Sequence, residues 1–185
     1  QGYLKVSEAM LPYGYTRQVE NDQGQTVQLD VPQIQEEKAA LVQRIDSLYL
    51  DGYSYRRIAM LLNSEGIPSP RGSQWHHNTV KGILTNETYA GWVVWGYRRQ
   101  ESVYEPETGD FVKRGVYAPI VQDLYERTGY LPTVYDLLNY PDECERDNVV
   151  IARGRHEPIR SDERQRRIFA EIESRRRAGG RAVQQ

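Results

Sequence analysis

The sequence contains one cysteine among its 185 residues, Cys144. A single cysteine excludes an internal disulfide and a zinc site built on several cysteines. It also fits a reducing compartment, so the composition predicts a cytoplasmic protein. The chain does not need a covalent staple, because a domain of this length buries roughly 70% of the surface that its unfolded chain exposes.

Long apolar runs are missing as well. The longest candidate, Ala90–Trp95, has the length of a strand, whereas a membrane helix needs about 20 apolar residues. No basic segment followed by an apolar run opens the sequence, so we expect neither a secretory leader nor a membrane partner. The first residue is Gln1 rather than methionine, which favours a piece cut from a longer protein.

Charge is unevenly distributed along the chain, although the net formal charge is only −2. Residues 52–100 and 148–185 are basic, with net charges of +4 and +5. Residues 1–51 and 101–147 are acidic, with net charges of −4 and −7. Alternating basic and acidic segments suggest a surface that faces a polyanion, backed by an acidic surface. Charges that merely solvate different faces of the protein would give the same sums.

Helices are predicted where apolar residues recur at helical spacing between capping and breaking residues. They cover about Pro32–Leu50, Tyr55–Asn63, His77–Leu84, Pro119–Arg127 and Thr133–Asn139, and a last helix follows Ser161. β-Branched and aromatic runs predict strands at Tyr89–Tyr97, with Phe111–Val116 as its returning partner, and at Val149–Ala152. The pattern predicts an α+β fold with a helix-turn-helix-like helical core, a small antiparallel β-hairpin or sheet, and a helical insert.

The second and third predicted helices form the strongest functional pattern. The third has an apolar stripe of Val80, Ile83 and Leu84 and an outward set of Asn78, Lys81, Gly82 and Thr85. Helix-turn-helix proteins place such a polar helix in the major groove, where Asn and Lys side chains read base edges. The gap between the two helices is about a dozen residues, far longer than the tight turn of that motif. An ordinary helical pair with a solvated polar face therefore stays open at this point.

A series of positions in this region follows a fixed order. They are Asp51-Gly52-Tyr53-Ser54, Ile58-Ala59, Leu62-Asn63, Gly66-Ile67-Pro68, Gly72, Trp75, Val80, Ile83-Leu84-Thr85-Asn86 and Tyr89-Ala90-Gly91. This order resembles the signature of the recombinase domain of large serine recombinases, the class of phage integrases and transposon resolvases. Pro12-Tyr13-Gly14-Tyr15 is similar to the arm that follows the family's catalytic domain. Gly154-Arg155-His156-Glu157-Pro158-Ile159 is similar to the segment that closes the recombinase domain.

The resemblance implies a DNA-binding module that lies between a catalytic domain, whose serine links covalently to DNA, and a zinc-ribbon domain. Neither flanking domain is in this sequence. We therefore expect the chain to bind double-stranded DNA at recombination sites without cutting it, and to need no cofactor. Other recombinase protomers would join it through the missing domains, so the chain alone is expected to be a monomer. The implied source is a bacterium or a phage.

The domain organisation that we predict is one recombinase-type domain at residues 1–177. Its parts are an arm and hairpin at 11–30, a helical core with a strand hairpin at 31–118, an acidic helical insert at 117–148, and a closing strand and helix at 149–177. A flexible tail is expected at 178–185.

Phosphate contacts position a protein on DNA, and base contacts specify the site. The candidate DNA contacts are therefore divided into phosphate contacts and base contacts, and two residues of the arm form a third group. Phosphates or groove edges are assigned to Arg56, Arg57, Arg71, Lys81, Arg98 and Arg99. Base reading is assigned to Asn78, Thr79, Lys81 and Thr85, with His76 and His77 contacting phosphate or base. Tyr13 and Arg17 are candidates on the arm. No catalytic residue or metal ligand is predicted, and Trp75 is expected to be buried rather than stacked on bases.

Two other functions remain open from the sequence. A free-standing helix-turn-helix transcription regulator would use the same helices and would dimerise to match a palindromic site. A metal-dependent nuclease would need ligands that converge on one ion. His76 and His77 are adjacent at a helix start, and the only other histidine is His156, so the second alternative has a poor ligand set.

Overall fold

The computed structural model describes the backbone of residues 11–181 and the side chains of residues 11–178. The first ten residues of the predicted domain and the last four residues of the tail predicted at 178–185 lie outside this range, and a helix continues to Arg181 within the predicted tail. Within it the chain forms six strands: β1 Tyr15–Glu20, β2 Thr26–Ile34, β3 Trp92–Trp95, β4 Arg98–Glu105, β5 Asp110–Tyr117 and β6 Val150–Arg153. The helices are α1 Glu36–Leu50, α2 Tyr55–Ser64, α3 His77–Thr85, α4 Pro119–Thr128, α5 Val134–Leu137, α6 Pro141–Arg146 and α7 Asp162–Arg181.

The described chain divides into two compact units. The first unit contains residues up to Gly91 together with residues from Gly154 onward, and the second contains Trp92–Arg153. The strands form three antiparallel pairs, β1 with β2, β3 with β6, and β4 with β5. The fold is therefore α+β, with a helical core and small antiparallel strand pairs, as the sequence predicts. No helix in the described part of the chain is long and apolar enough to cross a membrane.

The core of the first unit is built from one apolar stripe on each of α1, α2, α3 and α7. Its fully buried side chains include Val42, Ile45, Ile58, Leu62, Val80, Leu84 and Ile168. Each such side chain contributes about 1.5–3 kcal/mol when it is removed from water. Gly14 lies against this core with a φ of +99°, and a Cβ there would lie 2.9 Å from Ile159 Cδ1. Only glycine fits this position without a shift of its neighbours.

The start of the first helix differs from the prediction. Pro32 was expected near the helix N-terminus, but β2 continues to Ile34 and α1 begins at Glu36. The pairing of β1 with β2 is irregular between Thr16 and Gln18, and Pro32 lies in the unpaired part of β2 opposite this irregularity. A proline is tolerated there because it has no N–H to donate to a strand ladder.

The strand pairing of the second unit also differs from the prediction. A single strand over Tyr89–Tyr97 was expected to pair with Phe111–Val116, but β3 pairs with β6 and β4 pairs with β5. Gly96, with a φ of +76°, turns the chain between β3 and β4. A Cβ on Gly96 would lie 2.2 Å from the Asn148 carbonyl oxygen. The glycine thus ends the strand that the aromatic run predicts and begins a hairpin.

The predicted insert contains three helices rather than two. Pro141, which follows the predicted helix Thr133–Asn139 and so fits its end, instead opens α6. Proline suits the first position of a helix as well as the position after one. Thr133 and Asp136 cap α5 reciprocally. These helices pack around a second small core that includes Val121, Leu137 and Cys144.

Candidate nucleic-acid interface

The two helices that carry the predicted interface share one core, and α2 also has a side-chain cap. Ser54 Oγ accepts a hydrogen bond from the Arg57 N–H at 3.2 Å and so caps α2. The inward stripe of α3 is fully sequestered, as predicted, with Val80, Ile83 and Leu84 buried. The opposite side of α3 therefore faces away from the core of its unit.

The long loop between α2 and α3 is fixed by Trp75. The side chain of Trp75 is 2% exposed, which confirms the prediction that it is buried. Its Nε1–H donates to the Ile67 carbonyl at 3.0 Å. The Asn63 side chain accepts from the Trp75 N–H at 2.7 Å and donates to the Trp75 carbonyl at 3.0 Å. The sequence places Asn63 only on the polar side of α2, so this clasp was not predicted.

The polar face of α3 is open to solvent. His77, Asn78, Lys81 and Gly82 are exposed, and Thr79 and Thr85 are half-buried. Thr85 Oγ1 donates to the Lys81 carbonyl at 3.0 Å. A Cβ on Gly82 would meet no atom within 4 Å. The structure thus places all the predicted base-reading residues on or beside one helical face.

A groove of about 650 Å³ lies at the N-terminal end of α3. Arg56, Met60, His76 and His77 line it together with the edge of Trp75. The first N–H groups of a helix and its dipole favour anions, so this end of α3 suits a phosphate group. Met60, which is 63% exposed, adds an apolar contact at the same place.

The helical pair presents almost no negative charge. Residues 66–86 contain no aspartate or glutamate. Two carboxylates flank this segment: Glu87, which is half-buried, and Glu65, which receives two hydrogen bonds of 2.6 Å from Arg44. The hydrogen bond from Arg44 lowers the pKa of Glu65, so this carboxylate is ionised and already paired. The surface formed by α2, the loop and α3 is therefore positive.

The C-terminal end of α3 is anchored by a buried guanidinium group. Arg160, 3% exposed, donates from Nη1 to the Leu84 carbonyl and from Nη2 to the Ile83 carbonyl, both at 3.1 Å. Its Nη2 also lies 2.9 Å from a carboxylate oxygen of Asp46 on α1, and Gln165 Nε2 donates to the Leu84 carbonyl at 3.0 Å. This network joins α3 to α1 and α7. The sequence gives no sign of it, because Arg160 stands beside a helix cap, where a solvated arginine is usual.

Burial of the Asp46 carboxylate beside Arg160 is energetically unfavourable. Burial raises the pKa of Asp46 to about 6, and the attraction of Arg160 and Arg164 offsets the shift only in part. A buried ion pair of this kind is expensive to break, because removal of one partner leaves the other charge unpaired.

The remaining candidates of the first unit lie at several places around α3. Arg56 and Arg71 are exposed, and the Arg57 guanidinium stacks at 4.4 Å over the Tyr53 ring. Tyr13 is half-buried and contacts Trp75 edge to face, with 6.0 Å between ring centroids. Arg17 donates from Nε to the Leu29 carbonyl across the β1–β2 hairpin at 2.7 Å.

Arg98 and Arg99 belong to the second unit. Both side chains are exposed on β4. Arg98 stacks over the Tyr117 ring at 4.9 Å, whereas Arg99 pairs with Glu101 at 2.8 Å. They point to opposite sides of the strand because side chains alternate along it. No cluster of three metal-ligating side chains occurs among the residues described.

Solved structures that are similar to this chain include the following two. The crystal structure of an LSR–DNA complex shares 17% sequence identity, with a TM-score of 0.47, over 93% of this chain and 35% of that chain. A structure concerned with sequence requirements of the Listeria innocua prophage attP site shares 17% identity, with a TM-score of 0.45, over 93% of this chain and 46% of that chain. This chain thus spans less than half the length of either protein.

The family comparison is more direct. The Recombinase family model matches residues 36–127, which run from the start of α1 into α4. The match includes the capped helix α2, the Trp75 loop and the polar helix α3. It agrees with the family that the ordered positions of the sequence predict. The chain belongs to the Recombinase family.

Proposed function

We propose that this chain binds double-stranded DNA sequence-specifically, as the DNA-recognition module of a large serine recombinase that integrates or excises DNA. The observation that carries the proposal is the solvent-exposed face of α3. It is polar and it belongs to a segment without carboxylates. Arg160 holds the C-terminal end of the helix, and Trp75 fixes the loop that precedes it. An α-helix of this kind fits the major groove of B-DNA.

In this proposal some side chains of the first unit contact base edges and others contact phosphates. Asn78 and Lys81 reach base edges, with Thr79 and Thr85 beside them. Asn78 suits this role because its side chain makes no hydrogen bond with other described residues, and a free carboxamide can bond adenine in a bidentate way. The positive side chains of the α2–α3 surface contact phosphates; they are Arg56, Arg57, Arg71, His76 and His77. Tyr13 and Arg17 are assigned to the flank of the site.

We also propose that strand cleavage belongs to a part of the parent protein outside this sequence. The chain alone would then bind DNA as a monomer without cutting it, in the cytoplasm, and would assemble with other protomers only within the full recombinase. Incubation of the pure chain with duplex DNA and Mg²⁺ checks the first point. Cleaved product would contradict it, and a dimer in sedimentation experiments would contradict the second.

Selection from a pool of random duplexes tests the proposed function. The pure chain should enrich a defined sequence motif, and the variant Asn78→Ala should enrich the same motif with one position relaxed. The matched control is Asn139→Ala, because Asn139 is an exposed asparagine of the second unit, remote in sequence from α3. Failure of the wild-type chain to retain or enrich any duplex would contradict DNA recognition.

A further inference from the structure

The hairpin of β4 and β5 presents two faces of different chemistry. The strands pair in register from Arg98 opposite Tyr117 to Glu105 opposite Asp110, and side chains alternate between the faces along each strand. We call the Arg98 face the set Arg98, Gln100, Ser102, Tyr104, Phe111, Lys113, Gly115 and Tyr117. We call the Arg99 face the set Arg99, Glu101, Val103, Glu105, Asp110, Val112, Arg114 and Val116.

The acidic side chains of the hairpin strands all lie on the Arg99 face. There Arg99 pairs with Glu101 at 2.8 Å, and Arg114 pairs with Glu105 at 2.7 Å. The third carboxylate, Asp110, follows the same register. The Arg99 face therefore contains two cations, both paired, and three anions.

The Arg98 face contains two cations and no anion. Neither Arg98 nor Lys113 lies within 4 Å of a carboxylate in the described part of the chain. Seven of its eight residues are exposed, and only Tyr117 is half-buried. Amide and hydroxyl groups from Gln100 and Ser102 lie between the cations. The strand register thus concentrates positive charge on one face of a hairpin, residues 98–117, that has four basic and four acidic side chains.

The same face has two large exposed aromatic rings near the turn. Tyr104 is 53% exposed and Phe111 is 72% exposed. Their ring centroids are 5.5 Å apart. Exposed aromatic side chains beside unpaired cations are typical of surfaces that bind nucleic acids, where rings contact bases or sugars and cations contact phosphates.

We propose that the Arg98 face is a second DNA-contacting surface, which lies along duplex DNA with Arg98 and Lys113 on phosphates and Tyr104 and Phe111 in a groove. A two-stranded ribbon fits the major groove as an α-helix does. The absence of carboxylates on this face matches a polyanion rather than a protein surface of mixed charge. The proposal rests on the DNA-binding function proposed above, and it adds contacts from the second unit.

The two faces supply a matched pair of double variants in the full chain. Arg98→Ala with Lys113→Ala and Arg99→Ala with Arg114→Ala each remove two positive charges from the same hairpin. The Arg98-face variant should weaken duplex binding at least about tenfold at 0.1 M salt and reduce the log–log salt slope by about 2, since each lost phosphate contact removes about 0.9. The Arg99-face variant should change affinity by less than about threefold, because Glu101 and Glu105 already neutralise Arg99 and Arg114. The inference thus replaces the phosphate contact that the sequence predicts for Arg99 with one from Lys113.

A variant of the aromatic pair separates groove contact from charge. Tyr104→Ser with Phe111→Ser should weaken duplex binding without changing the salt slope, because no phosphate contact is lost. Sedimentation of the wild-type chain and of this variant, without DNA, tests a protein partner instead. A wild-type dimer that this variant converts to a monomer would show that the face binds a second copy, and would overturn the inference.

The outcomes distinguish the inference from the function on which it rests. Equal losses of affinity for the two charge variants would show that only net charge matters and would overturn the inference. Wild-type affinity and slope for the Arg98-face variant, together with relaxed selection by Asn78→Ala, would overturn it while the proposed function stood. A wild-type chain that binds no duplex would overturn the proposed function itself.

Discussion

At the scale of single residues, Trp75 links the loop to both helices of the proposed interface. Its indole is buried and hydrogen-bonded to the Ile67 carbonyl, and its backbone is clasped by Asn63. Trp75→Ala should lower the free energy of unfolding by about 3–5 kcal/mol, the usual cost of deleting a buried large aromatic. Trp75→Phe, which keeps most of the apolar contact and loses the Nε1 hydrogen bond, should cost clearly less. Urea unfolding measures both changes.

One result would contradict a structural role for Trp75. A Trp75→Ala chain with wild-type stability and reduced DNA affinity would make Trp75 a contact residue. The assignment of Trp75 as the residue that fixes the loop would then be wrong.

His156 is a buried histidine whose proton state affects stability. Its side chain lies against Tyr15, with 5.4 Å between ring centroids, and its Nε2 lies 2.8 Å from the Thr88 carbonyl oxygen. Because a carbonyl only accepts, Nε2 must carry the proton and the neutral ring is the Nε2–H tautomer. Burial lowers the pKa of His156, and the hydrogen bond to Thr88 offsets this only in part.

The lowered pKa of His156 gives a pH dependence with a definite sign. The unfolded chain, with a histidine pKa near 6.5, binds the proton more readily than the folded chain does. The contribution of neutral His156 to the free energy of unfolding is therefore complete above about pH 6.5. It is lost as the pH falls through the lower pKa of the folded state. Between pH 7.5 and 5.5, His156→Gln should lose less unfolding free energy than the wild type. Urea unfolding at the two pH values measures these losses. If the variant and the wild type lost the same amount of unfolding free energy, the prediction would be contradicted.

At the scale of elements, Gly82 weakens the helix α3, and the proposed base reading by α3 needs a small residue at this position. Gly82 is helical and exposed, and a methyl group there would meet no atom within 4 Å. Gly82→Ala should therefore raise the free energy of unfolding by up to about 1 kcal/mol. If bases approach this face closely, the same methyl should lower DNA affinity. Thermal unfolding and duplex titration of one variant measure both effects, and unchanged or improved affinity would contradict close approach at Gly82.

The elements also show what the sequence could predict and what it could not. The helices α2 and α3 and the buried stripe of Val80, Ile83 and Leu84 follow from helical periodicity and from the Ser54 cap, which are local properties. The start of α1 and the partner of β3 do not. Pro32 fits a strand irregularity as well as a helix start, and the aromatic run before Gly96 fits either strand partner. These choices depend on contacts between residues far apart in the chain.

The candidate site divides in the same way. The exposed polar residues of α3 were predicted because they lie opposite an apolar stripe. The Arg160 network was not, because a buried arginine has the same local sequence as a solvated one. The separation of Arg98 from Arg99 required the assignment of Arg98–Glu105 to a strand. The set of β5 residues that shares each face required the β4–β5 register, which composition and charge sums do not contain.

At the scale of the whole molecule, the net charge of −2 is a poor guide to binding. Six cations are assigned to DNA on the two units, and none of them has a carboxylate partner among residues 11–178: Arg56, Arg57, Arg71, Lys81, Arg98 and Lys113. If four to six of them neutralise phosphates, the logarithm of the binding constant should fall with the logarithm of salt concentration with a slope of about −3.5 to −5.5. Fluorescence anisotropy between 50 and 300 mM salt, roughly the range in which such slopes are measured, tests this. A slope shallower than about −2 would contradict a phosphate-contacting surface of this size.

The central claim is that α3 reads sequence, and a competition titration at fixed salt tests it most directly. Wild type, Asn78→Ala and the control Asn139→Ala would each be titrated with a selected duplex and a scrambled duplex of equal length. Asn78→Ala should reduce discrimination between the two duplexes by about 1–3 kcal/mol, as expected for loss of a bidentate adenine contact. The control should discriminate like the wild type. Equal weakening of Asn78→Ala on both duplexes, with discrimination unchanged, would contradict base reading by Asn78 on α3.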